Sequence, residues 1–90
     1  MDLAELQNAA AMRGYSQDFG SDVQRLSALV ASGELRITDS MSFDFGTDPG
    51  DDATMYLIEG DKQKGYLILS DSFHVDPEKA TLIDTLLARR

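Results

Sequence analysis

Residues 53–70 read ATMYLIEGDKQKGYLILS, and this stretch decides the fold. Two runs rich in aliphatic and aromatic residues, 53–59 and 65–70, flank the polar segment 60–64. This arrangement predicts a β-hairpin. Apolar residues occupy both odd and even positions of each run, so the hairpin is expected to be apolar on both faces. Either the rest of the chain or a partner must then cover the second face.

A two-residue period also marks the segment before the hairpin, from Glu34 onward. Its apolar members are Leu35, Ile37, Met41, Phe43 and Phe45. The alternation predicts a half-buried strand with this apolar set on one face, interrupted at Asp39 and Ser40. The following residues 46–52, GTDPGDD, predict a loop, because proline, glycine and aspartate each favour turns.

Helical patterns occur at both ends of the chain. Residues 2–13 place Leu3, Leu6 and Ala10 on one face, with Gly14 just beyond the helix. The last helix begins with Asp76 as N-cap and Pro77 at the first helical position. Its expected apolar face comprises Ala80, Ile83, Leu86 and Leu87.

Residues 21–32 leave two alternatives open. Helical spacing of the apolar residues, a capping box formed by Ser21 and Gln24, and a stop at Gly33 favour a helix. The valines and serines favour an extended segment instead.

These elements predict one α+β domain covering residues 1–90. We expect a three- or four-stranded antiparallel sheet with the N- and C-terminal helices packed on one face.

The chain carries 16 acidic and 8 basic residues, a formal net charge of −8. No base lies between Arg36 and Lys62, a stretch that contains seven acids: Asp39, Asp44, Asp48, Asp51, Asp52, Glu59 and Asp61. We expect an electronegative region that serves solubility or docks a basic partner, and no direct binding of nucleic acid. An acidic N-terminal segment and the lack of a long apolar run favour a cytoplasmic protein without a membrane anchor.

Few residues point to catalysis or to a cofactor. The chain has no cysteine, no phosphate-binding glycine motif and one histidine, His74. Asp48, Asp51 and Asp52 are weak candidates for a divalent cation, but the calcium-loop spacing fails where the loop needs glycine and an oxygen ligand. We therefore expect no cofactor and no metal.

Tyr15, Asp18 and Phe19 lie in the connector after the first helix. These residues either pin the helix to the sheet or form a recognition surface. With Asp48, Asp51 and Asp52 they complete the candidate residues for binding a ligand or a partner.

Four strings, RGYSQDF at 13–19, SFDFGTDPGDD at 42–52, YLI at 56–58 and KGYL at 64–67, resemble a family of short bacterial proteins often labelled phosphoribosylpyrophosphate synthetase or a relative of it. The resemblance implies a shared fold and no defined reaction. That synthetase activity requires an ATP site and a two-domain cleft, which a 90-residue chain does not accommodate.

The sequence thus favours a non-enzymatic protein-interaction or regulatory module, acting on a protein partner or as a homodimer. The alternative is a weak metal- or phosphosugar-binding domain that uses residues 48–52. A third possibility is an acidic surface that imitates nucleic acid and blocks a basic groove.

Overall fold

In the computed structural model, the described part of the chain forms three helices and four strands. Their order is α1 (Leu3–Met12), β1 (Gln17–Asp18), α2 (Val23–Ser32), β2 (Arg36–Asp44), β3 (Asp52–Glu59), β4 (Lys64–Ser70) and α3 (Pro77–Ala88). A 3₁₀ turn, Phe19–Ser21, joins β1 to α2. The structure describes residues 3–44, 52–70 and 77–89. The predicted α+β class is confirmed.

The strands form one sheet in the order β1-β4-β3-β2. β3 and β4 pair antiparallel as the predicted hairpin, and β2 pairs antiparallel with β3. The fourth strand is β1, which has two residues and runs parallel to β4. A strand of two residues is too short to show a periodic pattern, so the sequence did not indicate it.

Both faces of the hairpin are covered, and this corrects the expectation that the N- and C-terminal helices share one face. The core on the α1 side of the sheet consists of Leu6, Ala10, Tyr15, Ala53, Met55, Leu57 and Tyr66. The core on the other side, under α2 and α3, consists of Phe19, Leu26, Val30, Leu35, Ile37, Ile58, Leu67, Leu82, Ile83 and Leu86. Alternate residues of β3 and β4 point to opposite faces, so each apolar face requires its own helical cover.

The alternation had predicted that all apolar residues of β2 lie on one face of the strand. In the structure they do not. Ile37 pairs with Ile58 and Asp39 pairs with Leu57, so Thr38 is an extra residue, a β-bulge. Ile37 therefore packs under α2 and α3, whereas Met41 packs on the α1 side. The sequence placed an interruption at Asp39 and Ser40, one residue beyond the bulge.

Residues 23–32 form a helix, which decides between the two alternatives for this segment. Its N-cap is Asp22, whose side chain accepts a hydrogen bond from the Arg25 N–H, and not the predicted Ser21. Aspartate is as good an N-cap as serine, and it lies one residue nearer the helix. Gly33 ends the helix in the left-handed conformation, with φ +81°, as predicted.

The buried face of α3 is rotated toward Leu82, which was not part of the expected apolar face. Leu82, Ile83 and Leu86 are buried, whereas Leu87 is 38% exposed. The Arg89 guanidinium donates to the Val30 carbonyl oxygen at 2.6 Å, which fixes the end of α3 against the end of α2. A cation at this place also complements the dipole of α2. The predicted N-cap, Asp76, lies outside the described residues.

The connector between α1 and α2 crosses from one face of the sheet to the other at its edge. Tyr15 lies in the α1-side core and Phe19 in the opposite core, with β1 between them. β1 passes so close to β4 that an added Cβ at Gly65 would collide with the Gln17 carbonyl and lie 2.8 Å from the Phe19 ring. Gly65 is therefore required by the close approach of two backbone segments.

A Gly65→Ala variant is expected to lose about 3 kcal/mol of unfolding free energy, because β1 must move away from β4 to admit the methyl group. Urea denaturation measures the loss. Gly33→Ala is the matched control, since a Cβ at this position has no neighbour within 4 Å. This variant should lose only about 1–2 kcal/mol of unfolding free energy, because alanine is strained at the positive φ of this position. Equal losses of unfolding free energy in the two variants would contradict the close approach of β1 to β4 at Gly65.

Candidate functional site

The edge of the sheet formed by β2 is the longest unpaired strand edge in the described part of the chain. β2 has nine residues and is the last strand in the sheet order, so among the described residues it pairs only with β3. From Asp39 to Asp44 its register with β3 is regular. Such an edge presents backbone donors and acceptors to another chain.

The hairpin turn determines which peptide groups of β2 point outward. The Gly60 N–H donates to the Gln63 carbonyl at 2.8 Å. In the antiparallel ladder that starts at this pair, even-numbered residues of β3 bond to β4 and odd-numbered residues bond to β2. Ser40 and Ser42 pair with even-numbered residues of β3. Their own N–H and C=O groups therefore point to the free side.

One of these outward donors is covered by a side chain of β2 itself. The Ser40 N–H donates to Asp39 Oδ1 at 2.8 Å, and Arg13 Nη1 donates to Asp39 Oδ2 at 3.3 Å. The Arg13 and Asp39 side chains are each about half exposed. A carboxylate held at this position blocks part of the edge, a known way of protecting exposed strands.

Tyr15 supports the bulge from the α1 side. Its hydroxyl lies 3.0 Å from Thr38 Oγ1 and 3.4 Å from Glu59 Oε2, and the residue is only 7% exposed. The Thr38 hydroxyl also lies 3.3 Å from the Leu57 carbonyl oxygen, to which it donates. The bulge thus turns a polar side chain toward a buried tyrosine, which satisfies the hydroxyl groups of both residues.

Basic residues compensate two acids of the stretch that the sequence analysis marked as electronegative. Glu59 lies between its cross-strand neighbours Arg36, at 3.9 Å, and Lys64, at 4.0 Å, and Asp39 pairs with Arg13. The Lys64 ammonium and the Arg13 guanidinium also lie 5.3 and 5.8 Å from the centre of the Tyr15 ring. The basic neighbours therefore partly neutralise Asp39 and Glu59.

The other two predicted residues of the connector serve the backbone and the core. Asp18 Oδ1 accepts a hydrogen bond from the Gly20 N–H at 2.9 Å and caps the 3₁₀ turn. Phe19 is 2% exposed and lies in the core under α2 and α3. Of the three predicted connector residues, the structure thus brings only Tyr15 close to the β2 edge.

Most of the predicted acidic loop lies outside the described residues. Asp48 and Asp51, like His74, lie outside the described residues, and of Asp52 only the backbone is described, as the first residue of β3. Within residues 3–44, 52–70 and 77–89, no three His, Asp or Glu side chains form a group able to hold a metal ion. Metal binding by residues 48–52 stays a prediction.

Three residues of the edge were not candidates in the sequence analysis: Thr38, Asp39 and Ser40. Their only sequence signal was the break in apolar alternation between Ile37 and Met41. The bulge and the contact with Arg13, which is 26 residues away in the chain, appear only in the fold.

Comparison with protein-family models, with curated protein sequences and with solved structures finds no match for this chain. The resemblance to the synthetase-labelled bacterial family therefore stays a prediction. None of the described helices is long and apolar enough to cross a membrane.

The pKa of Tyr66 is displaced from its ordinary value. Burial raises the pKa of its hydroxyl above 10.0, the Asp18 carboxylate raises it further, and the hydrogen bond from Gln7 Nε2 opposes both effects. The folded protein therefore binds this proton more tightly than the unfolded chain does. The resulting stabilisation is complete below the ordinary tyrosine pKa and is lost as the pH rises through the folded pKa.

An Asp18→Asn variant is expected to lower the pKa of Tyr66. The neutral amide no longer repels the negatively charged tyrosinate, and its oxygen still accepts the hydrogen bond from the Gly20 N–H. The pKa is measured from tyrosinate absorbance as a function of pH. Subtracting the titration of a Tyr66→Phe variant isolates the contribution of Tyr66. A titration unaltered by Asp18→Asn would contradict the assignment.

A Tyr15→Phe variant is expected to lose about 1 kcal/mol of unfolding free energy in urea denaturation, because only the hydroxyl contacts disappear. In this variant the Thr38 hydroxyl still donates to the Leu57 carbonyl oxygen, and Glu59 keeps its ion pairs with Arg36 and Lys64. Tyr15→Ala removes the ring as well and should cost about 3–5 kcal/mol. Similar losses in both variants would contradict a mainly apolar role for this ring.

Proposed function

We propose that this protein is a non-enzymatic protein-interaction module that binds an extended, basic segment of a partner protein along the free edge of β2. The observation that carries the proposal is the long β2 strand, which is paired on one side only within the described part of the chain. Addition of a strand to such an edge is a common mode of peptide recognition, because the backbone supplies the affinity.

The basic character of the partner follows from charge. β2 beyond Arg36 and the whole of β3 contain no base, and the chain has a formal net charge of −8. Lysine or arginine side chains on the added strand would find long-range attraction here. A second copy of this chain would bring two chains of net charge −8 together, with two acidic β2 strands side by side. Charge therefore favours a different protein over a homodimer.

The polar side chains around the edge support a binding role over a catalytic one. The Tyr15 hydroxyl and Glu59 are occupied in holding the bulge and the adjoining strands. Ser40 and Ser42, on the edge, are exposed. With cytoplasmic location as the sequence predicts, the partner would be an intracellular protein.

The test uses a nine-residue peptide of alternating lysine and valine as the probe, with a glutamate-for-lysine peptide as its control. We expect saturable changes in amide NMR shifts along residues 39–44 with the basic peptide only, weaker at high salt.

The Ser42→Pro variant should abolish these changes, because proline removes an outward donor while the ladder to β3 stays intact. Ser42→Thr is the matched control and should bind as the natural chain does. Shifts caused equally by both peptides, or found only outside β2, would contradict the proposal.

A further inference from the structure

We propose that residues 13–15, which follow α1, regulate access to the β2 edge by holding the Asp39 carboxylate on the Ser40 N–H. The inference rests on the proposed function for its biological meaning. Its structural part is independent, because it concerns a contact within the free protein.

The contact occupies a donor that an added strand would use. The Ser40 peptide group points to the free side of β2, as the hairpin register requires, and its N–H bonds to Asp39 Oδ1 at 2.8 Å. A partner strand at this position must displace the carboxylate before it can accept that hydrogen bond. The carboxylate therefore competes with the partner.

Arg13 keeps the carboxylate in this position. Its guanidinium donates to Asp39 Oδ2 at 3.3 Å, while Oδ1 covers Ser40. Arg13 is itself held over the Tyr15 ring, whose hydroxyl contacts Thr38 at the bulge. One short segment after α1 thus contacts both the bulge and the group that covers the edge.

This arrangement links the protection of the β2 edge to the docking of α1 on the sheet. Leu6 and Ala10 are buried against the sheet, and the chain leaves the helix through Gly14, whose φ is +93°. An isolated helix of ten residues is not stable in water, so α1 depends on this docking. Movement of α1 away from the sheet would withdraw Arg13 and so remove one contact that holds the Asp39 carboxylate on the Ser40 N–H. Release of α1 therefore favours strand addition, and strand addition favours release of α1.

The first measurement is the solvent-exchange rate of the Ser40 amide in the free protein, by NMR. Arg13→Gln is expected to raise this rate up to about fivefold, the change that corresponds to ~1 kcal/mol for an exposed ion pair. Asp39→Ala removes the covering group and sets the upper limit of the rate. Lys64→Gln is the matched control, because it removes an equal charge from the same Tyr15 ring without touching Asp39.

The second measurement is the affinity of the lysine–valine peptide for the same variants. We expect Arg13→Gln to bind it more tightly than Lys64→Gln does, by a factor similar to the change in exchange rate. An unchanged Ser40 rate in Arg13→Gln, or equal affinities in the two variants, would overturn the regulatory contact. A raised Ser40 rate without any peptide-induced shift along β2 would support the contact and reject the proposed function.

Discussion

The apolar side chains of β3 and β4 need cover on both faces of the sheet, and the rest of the fold follows from this constraint. Ala53, Met55 and Leu57 point to one side, and Ile58 and Leu67 point to the other. One layer of helices covers one side only, so α1 must lie opposite α2 and α3. The connector between α1 and α2 must then cross the edge of the sheet. It does so as β1, next to the one position in β4 that has no side chain.

Because both faces of the sheet are covered, the proposed interaction uses the edge of the sheet and not its face. The sequence left open whether the rest of the chain or a partner covers the second apolar face of the hairpin, and α1 covers it. Among the described residues, Met12 and Leu87 are the large apolar side chains with substantial exposure. Within the described residues, the longest unpaired backbone of the sheet is that of β2. In the proposed function this backbone would bind an extended chain through hydrogen bonds more than through apolar contact.

The bulge at Thr38 connects the architecture to this edge. It allows one strand to supply Ile37 to one core and Met41 to the other, and it brings Thr38 to the buried hydroxyl of Tyr15. The residue after the bulge, Asp39, then meets both the Ser40 N–H and Arg13. A single inserted residue thus affects the packing of two cores and the protection of an exposed strand.

The sequence by itself determined the α+β class, the hairpin, both terminal helices and the end of α2 at Gly33, because each depends on local periodicity, turn residues or a cap. It also named Tyr15, Asp18 and Phe19 as residues that either pin the first helix to the sheet or form a recognition surface, but it did not indicate that Tyr15 and Phe19 belong to opposite cores. The tertiary structure alone decided the face on which each helix lies, the bulge at Thr38, the role of Gly65 and the meeting of Arg13 with Asp39. These features depend on strand register and on contacts between residues far apart in the chain, and local patterns carry no information about either.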